Sequence, residues 1–342
     1  MCNISRIGIV GGAGFIGSSL VKSLSSVFDV SVLDIKEPEN RSNHVEFELC
    51  DIRNYSCLKK ALTDVDLVLH LAVIQIPLIN ENRRLAYEVN FTGTVNICRA
   101  VDELPNIKGL ILAGSWHTIG EKELNGVVDE EFGFRPDKVE DRARPYVLSK
   151  IAQEAVVRFY DEMSDKIYGV IRTGTVLGEG MPENTAANIF ITRGLRSESI
   201  TPYKHSMYRP MLYTDVHDVC KAYEKFVEKI MNDEFEGTRN SLSHIVNVFY
   251  SKPITILEMA NIVRDTIVKC TNGEIKPQIE IVEHGQPLLF AEEDKDKIKV
   301  DVTRAKKLLG LERLTSPKES IERVVKNRLG EAEFQTKRGL YS

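Results

Sequence analysis

Short apolar runs recur along the first half of the chain, at residues 6–10, 30–33, 45–49, 67–71, 110–113 and 168–171, and helix-length segments separate them. Strand, helix, strand in that succession predicts a parallel sheet. Runs such as Leu67-Val68-Leu69 are continuous rather than alternating, which suits strands covered by helices on both faces. The pattern therefore predicts an α/β fold built on a doubly wound parallel sheet, with a seventh strand over 244–248. From about Gly174 the texture changes, because Gly178, Gly180, Pro182, Pro202, Pro210 and Pro253 punctuate short elements. A smaller C-terminal lobe over the carboxyl edge of the sheet is expected, and that lobe should choose the substrate. The predicted division is a sheet domain at 1–173 with a returning segment at about 211–250, and a substrate-binding lobe from 174–210 and 251–342.

The first strand runs into Gly11-Gly12-Ala13-Gly14-Phe15-Ile16-Gly17, after which apolar spacing turns helical. Gly11, Gly14 and Gly17 form GxxGxxG, which lets the chain turn sharply and brings bare backbone and a helix N-terminus against a pyrophosphate. Tight packing alone would also explain such a turn. Asp34, closing the second strand, adds an acceptor for ribose hydroxyls at the spacing of a Rossmann-type dinucleotide site, and its charge repels a 2′-phosphate. NAD is thus expected over NADP, although Lys36 and Arg41 lie near enough in sequence to leave some NADP use open.

Pro145 suits the first turn of a helix, and Tyr146 and Lys150, four residues apart, would share one of its faces. A free phenol titrates near about 10 and is a poor base at neutral pH, but a cation beside it favours the phenolate. Ser115 follows the fifth strand, at the sheet edge where such folds place reacting groups, and its hydroxyl can orient a substrate oxygen. An ordinary surface helix also carries Tyr and Lys at this spacing. It is the combination with Ser115, Asp34 and the glycine turn that points to chemistry.

Further segments share a family pattern: Cys50-Asp51-Ile52, His70-Leu71-Ala72, Val89-Asn90-Phe91-Thr92-Gly93-Thr94, Ile171 through Gly178, Arg209 through Val219, Asn247-Val248 and Asp301 through Gly310. With the glycine turn and the Ser/Tyr/Lys set, the chain resembles the extended short-chain dehydrogenases/reductases, the NAD-dependent epimerase/dehydratase family, over nearly its whole length. That resemblance implies a cofactor set of Gly11, Gly14, Phe15, Ile16, Gly17, Asp34, Asp51, Ile52, Leu71, Ala72, Asn90, Tyr146, Lys150 and Thr173. Within it Asp51 and Ile52 would touch the adenine, a pair that strand-end packing explains equally well. Leu71 and Ala72 would line the groove, Asn90 would organise the site, and Lys150 would hold the nicotinamide ribose.

The resemblance further implies that Tyr146 takes a hydroxyl proton while Ser115 bonds the developing carbonyl, so that oxidation comes first. A keto product that stays and is reduced on its other face makes a nucleotide-sugar epimerase; one that leaves makes a dehydrogenase. Dehydratases of the family carry Thr-Asp-Glu where this chain has Ser115-Trp116-His117, which disfavours water loss. Ser115, Trp116, His117, Thr175 and Arg209 form the expected substrate set, with Arg209 able to grip a phosphate or a carboxylate bidentately or to serve as a plain surface residue. Trp116 is a sugar-stacking wall or core filling, and His117 a substrate contact or a structural residue. Thr175 stands where many members have Asn, and acidic Glu292-Glu293-Asp294 where many have a diphosphate-binding Arg. The Ser115 to Gly120 stretch is also similar to that of sugar-acid dehydrogenases, which keeps a dehydrogenase of a free sugar or sugar acid as the second reading. A dinucleotide-binding protein without catalysis is the third.

Composition narrows the partners. The chain has 342 residues, 28% of them charged, with a formal net charge of −5, so the basic surface that nucleic acid requires is missing. The six cysteines lack metal or redox spacing, so free thiols and no metal are expected. The first apolar run is too short for a signal segment or a membrane span, and a cytoplasmic protein is expected. Segments 85–100 and 146–163, the second with Ala152, Ala155, Val156 and Phe159 at helical spacing, are candidates for a homodimer face, or for packing within the monomer.

Overall fold

Seven strands pair edge to edge, each parallel to its neighbours: β1 (Arg6–Val10), β2 (Asp29–Asp34), β3 (Val45–Leu49), β4 (Leu67–His70), β5 (Gly109–Ser115), β6 (Ile167–Thr173) and β7 (Ile245–Val248). This computed structural model describes residues 5–38, 45–235 and 240–339; Arg41 and Cys2, both raised by the sequence, lie outside the described residues. The spatial order is β7-β6-β5-β4-β1-β2-β3. The order reverses between β1 and β4, so the loops leaving these two strands part above their carboxyl ends and open a crevice there. All four residues of β4 are buried, as the continuous apolar run requires of a strand covered on both faces. The expected doubly wound parallel sheet is therefore the fold.

Helices α1 (Phe15–Leu24), α2 (Tyr55–Ala61), α3 (Arg83–Tyr87), α4 (Thr94–Glu103), α5 (Arg144–Met163), α6 (Ala186–Leu195), α7 (Val216–Met231), α8 (Ile256–Cys270), α9 (Thr303–Leu309) and α10 (Pro317–Gly339) follow in chain order. On one face of the sheet Leu20 and Leu24 of α1 meet Tyr223 and Phe226 of α7; on the other, Leu58, Ile97, Val101 and Val157 pack from α2, α4 and α5. A π-helical turn, Glu88–Gly93, joins α3 to α4 and shifts the residues after it around the helix axis.

The lobe has its own apolar core, in which Phe190, Met259, Val263 and Ile321 meet Trp116 and Phe249. The two cores exchange segments: Trp116, Ile119, Leu124 and Val128 join the lobe, whereas Val302, Ala305 and Leu309 join the sheet. Helix α8 starts where Thr255 and Glu258 satisfy each other's backbone N–H groups at 3.1 and 2.8 Å. Among the described residues no helix is long and apolar enough to cross a membrane. Cys50, Cys57, Cys98, Cys220 and Cys270 are free thiols.

One buried ion pair fastens α5 to the sheet. Arg172 of β6 donates from Nε and Nη2 to the two oxygens of Glu154 at 3.0 and 2.6 Å, and from Nη1 to the Glu130 carbonyl at 3.2 Å. The two side chains are 2% and 1% exposed. Removing one partner strands the other charge away from water, so Glu154→Ala should cost about 3–5 kcal/mol. Urea unfolding measures this, and a loss under about 1 kcal/mol, the worth of an exposed pair, would refute it.

Candidate active site

The turn after β1 uses its three glycines differently. Gly11 has φ +84°, and a Cβ there would lie 2.6 Å from the Ala72 nitrogen; on Gly17 it would lie 2.4 Å from the Gly11 carbonyl oxygen. Both positions must be bare for the backbones to close. Gly14, which precedes α1, is not constrained in this way, because its nearest neighbour would be the Gly11 oxygen at 3.5 Å. Helix α1 has no side-chain cap and no acidic residue in its first turn, so its leading N–H groups are left to a ligand. An open, uncapped helix start with a bare residue before it fits a pyrophosphate. Phe15 reaches toward Gly178 and Gly180 and packs with the lobe, while Ile16 packs on the sheet core.

Asp34 sits over this turn, its Oδ2 accepting from the Ala13 N–H at 3.0 Å and its Oδ1 from the Ile35 N–H at 2.7 Å. Leu71 donates its N–H to the Val10 carbonyl at 2.8 Å, so Leu71 and Ala72 flank the turn from β4. Asp51 is gripped by Arg53 at 2.6 Å, which holds its carboxyl below the usual range, and Arg53 also pairs with Glu88 at 2.9 Å. Ile52 is buried against Gly93, where a Cβ would lie 2.4 Å from its Cδ1.

Ser115 and Thr173 end β5 and β6 as register partners, and α5 crosses above them. Ser115 Oγ accepts from the His117 N–H at 3.3 Å and lies 3.4 Å from its Nδ1. Burial pushes the half-buried Tyr146 phenol up, and its hydrogen bond with Ser115 opposes that. Lys150 is brought down to about 7 by burial, against the pull of Glu154. Its Nζ donates to the Ala113 carbonyl at 2.6 Å and to Gln153 Oε1 at 2.7 Å. The structure thus gathers Ser115, Tyr146 and Lys150 at one end of the sheet.

Asn90, inside the π turn, accepts from the Ile74 N–H at 2.7 Å and donates to the Ile74 carbonyl and Ser149 Oγ, both at 3.0 Å, tying the loop after β4 to α5. Beneath it lie Gln153, Thr94 and His70, to which the sequence motifs assign no role of their own. Gln153 Nε2 donates to Thr94 Oγ1 at 3.0 Å, Thr94 donates to the Asn90 carbonyl at 2.8 Å, and His70 Nε2 lies 2.9 Å from the same hydroxyl. Burial first, then Lys150, hold His70 down at about 3, so it is neutral. The signal that could have found Gln153 is its place three residues after Lys150, on the same helix face.

The substrate set is more dispersed. Trp116 is fully buried in the lobe core and its indole N–H has no acceptor among the described residues, so of the two readings open in sequence, sugar-stacking wall or core filling, its burial favours core filling. His117 approaches Tyr146 edge-on with ring centroids 6.3 Å apart, and burial, aided by Arg209, brings it down to about 4. Thr175 opens a short strand, Thr175–Leu177, with its N–H donated to the Leu212 carbonyl at 2.7 Å. Arg209 pairs through Nη2 with Glu140, has its Nε 3.6 Å from Glu121 Oε2, and lies over the Phe290 ring. Burial raises Glu121 while Arg209 opposes it. The one cation carried over to the substrate end is therefore already matched by two carboxylates.

Residues 7–239 match the NAD dependent epimerase/dehydratase family, and the chain belongs to it. Its resemblance to that family, its enzymatic class and its NAD cofactor, all read from sequence, are borne out. A putative UDP-glucose 4-epimerase of Methanocaldococcus jannaschii is 29% identical over 76% of this chain and 81% of its own length. UDP-glucuronic acid decarboxylase 1 of Danio rerio is 24% identical over 96% and 74%. Among solved structures, the Thermus thermophilus UDP-glucose 4-epimerase with NAD superposes with a TM-score of 0.73 at 22% identity, covering 94% of this chain and 97% of that one. The Thermotoga maritima UDP-glucose 4-epimerase with UDP-glucose gives 0.75 at 21%, covering 95% and 99%.

The unequal glycines make a testable contrast. Gly14→Ala should leave thermal stability near wild type while weakening NAD binding about tenfold or more, because its methyl stands where the pyrophosphate approaches. Gly17→Ala should instead lower the melting temperature by several degrees. Titration calorimetry and thermal melts read the two effects, and an unchanged NAD affinity in Gly14→Ala would refute the placement.

Proposed function

We propose that the chain is an NAD-dependent sugar epimerase that works by transient oxidation of a hydroxyl-bearing carbon, with Ser115, Tyr146 and Lys150 as its catalytic residues. The carrying observation is the meeting of those three side chains at the carboxyl end of β5 and β6. Tyr146 takes the substrate hydroxyl proton, with Ser115 opposing the rise that burial gives its phenol and Lys150, one helical turn on, as the cation that would favour the phenolate. Ser115, near enough to the phenol to lower it against burial, is placed to bond the same oxygen as it becomes a carbonyl. NAD, held by the residues named below, would supply reversible hydride acceptance at the substrate carbon. The cofactor residues proposed are Gly11, Gly14, Phe15, Ile16, Gly17, Asp34, Ile52, Leu71, Ala72, Asn90 and Thr173 beside Tyr146 and Lys150, with Asp51 acting through its Arg53 pair. The lobe, at 174–210 and 251–342, is proposed to select the substrate.

A nucleotide sugar is the first substrate class to assay, because the named relatives and neighbours act on or bind UDP-sugars. Oxidation of a free sugar or sugar acid is the second reading, and the pairing of Arg209, the one cation of the expected substrate set, with Glu121 and Glu140 favours it. Proton NMR of the holoprotein with nucleotide sugars, free sugars and uronates separates them. A new stereoisomer without accumulating reduced cofactor supports the epimerase, whereas an oxidised sugar with matching reduced cofactor supports the dehydrogenase.

A homodimer through α3, α4 and α5 is also proposed, since Tyr87, Val95, Leu148, Phe159 and Met163 are exposed there. Light scattering should find a dimer that Phe159→Glu splits, and a monomeric wild type would end the proposal. Tyr146→Phe should lower kcat by about 10²–10⁴-fold while sparing NAD affinity. Turnover near wild type would remove Tyr146 as the base.

A further inference from the structure

Lys150 is enclosed, and its hydrogen bonds can be counted. An ammonium has three N–H donors and a neutral amine two. The Ala113 carbonyl takes one at 2.6 Å and Gln153 Oε1 a second at 2.7 Å. One donor is left when the lysine is charged and none when it is neutral, so the bond that the side chain can offer a ligand exists only in the protonated form. Gln153 itself is fully buried and cannot turn freely. Its amide nitrogen is held by Thr94 Oγ1 at 3.0 Å, and the Thr94 hydroxyl is oriented by donation to the Asn90 carbonyl at 2.8 Å. With its own proton so committed, Thr94 Oγ1 is an acceptor for Gln153, which fixes the amide with its oxygen toward Lys150. His70 Nε2 lies 2.9 Å from the same hydroxyl oxygen.

We propose that Gln153 is a positioning residue for Lys150: braced by Thr94, which opens α4 directly after the turn that holds Asn90, it claims one of the lysine's donors and leaves a single N–H for the cofactor ribose and the Tyr146 oxygen. The proposal rests on the reading of Tyr146 and Lys150 as the reacting pair. It assigns a purpose to the π turn, which sets Asn90 and Thr94 toward α5 together, Asn90 on Ser149 and Thr94 on Gln153. The titratable groups that interact with Lys150 are Glu154 from α5 and the neutral His70 from β4, with Tyr146 one helical turn before it on α5; the neighbouring α4 contributes only the Thr94 hydroxyl. Glu154, committed to Arg172 on both oxygens, supplies charge but no hydrogen bond to the amine. Gln153 is the only side chain that the described residues provide as an acceptor to Lys150.

The sign of the effect follows from the acceptor's charge. A neutral acceptor favours the ammonium, so Gln153→Leu should move the Lys150 titration down by about one pH unit, and Gln153→Glu should move it up by a similar amount or more. Both shifts are read by NMR on full-length protein carrying 13Cε-labelled lysine, with Lys150→Met identifying the resonance. In turnover, Gln153→Leu should lower kcat about tenfold or more with little change in KM, and the basic limb of its pH profile should move with the lysine. A merely structural glutamine would change stability without moving the titration in opposite directions in the two variants. Should Gln153→Leu fail to fold, the near-isosteric Gln153→Glu decides alone. A Lys150 midpoint that stays at the wild-type value in Gln153→Glu overturns the proposal. The lysine titration needs no substrate, so a loss of the Tyr146 reading, shown by active Tyr146→Phe, is distinguishable from a failure of Gln153.

Discussion

An ammonium shut away from water must be given acceptors, and meeting that demand for Lys150 ties together the parts of this molecule that matter most. Its acceptors come from two directions, the Ala113 carbonyl near the end of β5 and the Gln153 amide on its own helix. The first bond draws α5 down onto the sheet edge, where the Arg172–Glu154 pair also anchors it. The second carries the constraint through Thr94 and His70 to β4, the strand whose following residues flank the glycine turn. The end of the helix that bears Tyr146 and the loop that faces the cofactor are thereby parts of one hydrogen-bonded unit. Burial lowers the lysine to about 7, against the pull of Glu154, so its charge is held close to the point of loss.

The cofactor half and the substrate half of the crevice differ in how they are prepared. On the cofactor side the fold leaves a space: Gly11 and Gly17 are consumed by close packing, Gly14 is not, and α1 starts without a cap. On the substrate side the fold fills the space with its own charges, since Glu121 and Glu140 both face Arg209. A pyrophosphate finds waiting N–H groups in the first place and would have to displace carboxylates in the second.

Much of this was legible in sequence wherever the cause was local. Continuous apolar runs gave the strands, because burial on both faces leaves little freedom of residue type, and GxxGxxG with Asp34 gave the turn and the acid above it. Strand ends, helix spacing and the family order together single out Ser115, Tyr146 and Lys150, which the structure brings to one end of the sheet. What stayed hidden depends on contacts between distant segments. Trp116 next to Ser115 was open to two readings, and only the lobe core that closes around it decides for packing. The partners of Arg209 follow from loops whose meeting no local pattern announces. The π turn, which aims Asn90 and Thr94 at α5, leaves no periodic trace in so short a segment.

The central claim is that a carbon–hydrogen bond is broken and remade by transfer to and from the bound dinucleotide, with only the hydroxyl proton passing through Tyr146. Turnover in deuterium oxide tests it most directly. The account predicts a product whose reacting carbon carries no solvent deuterium, as read by NMR and mass spectrometry. Solvent deuterium on that carbon would mean that it had exchanged a proton with a base, and would contradict the account.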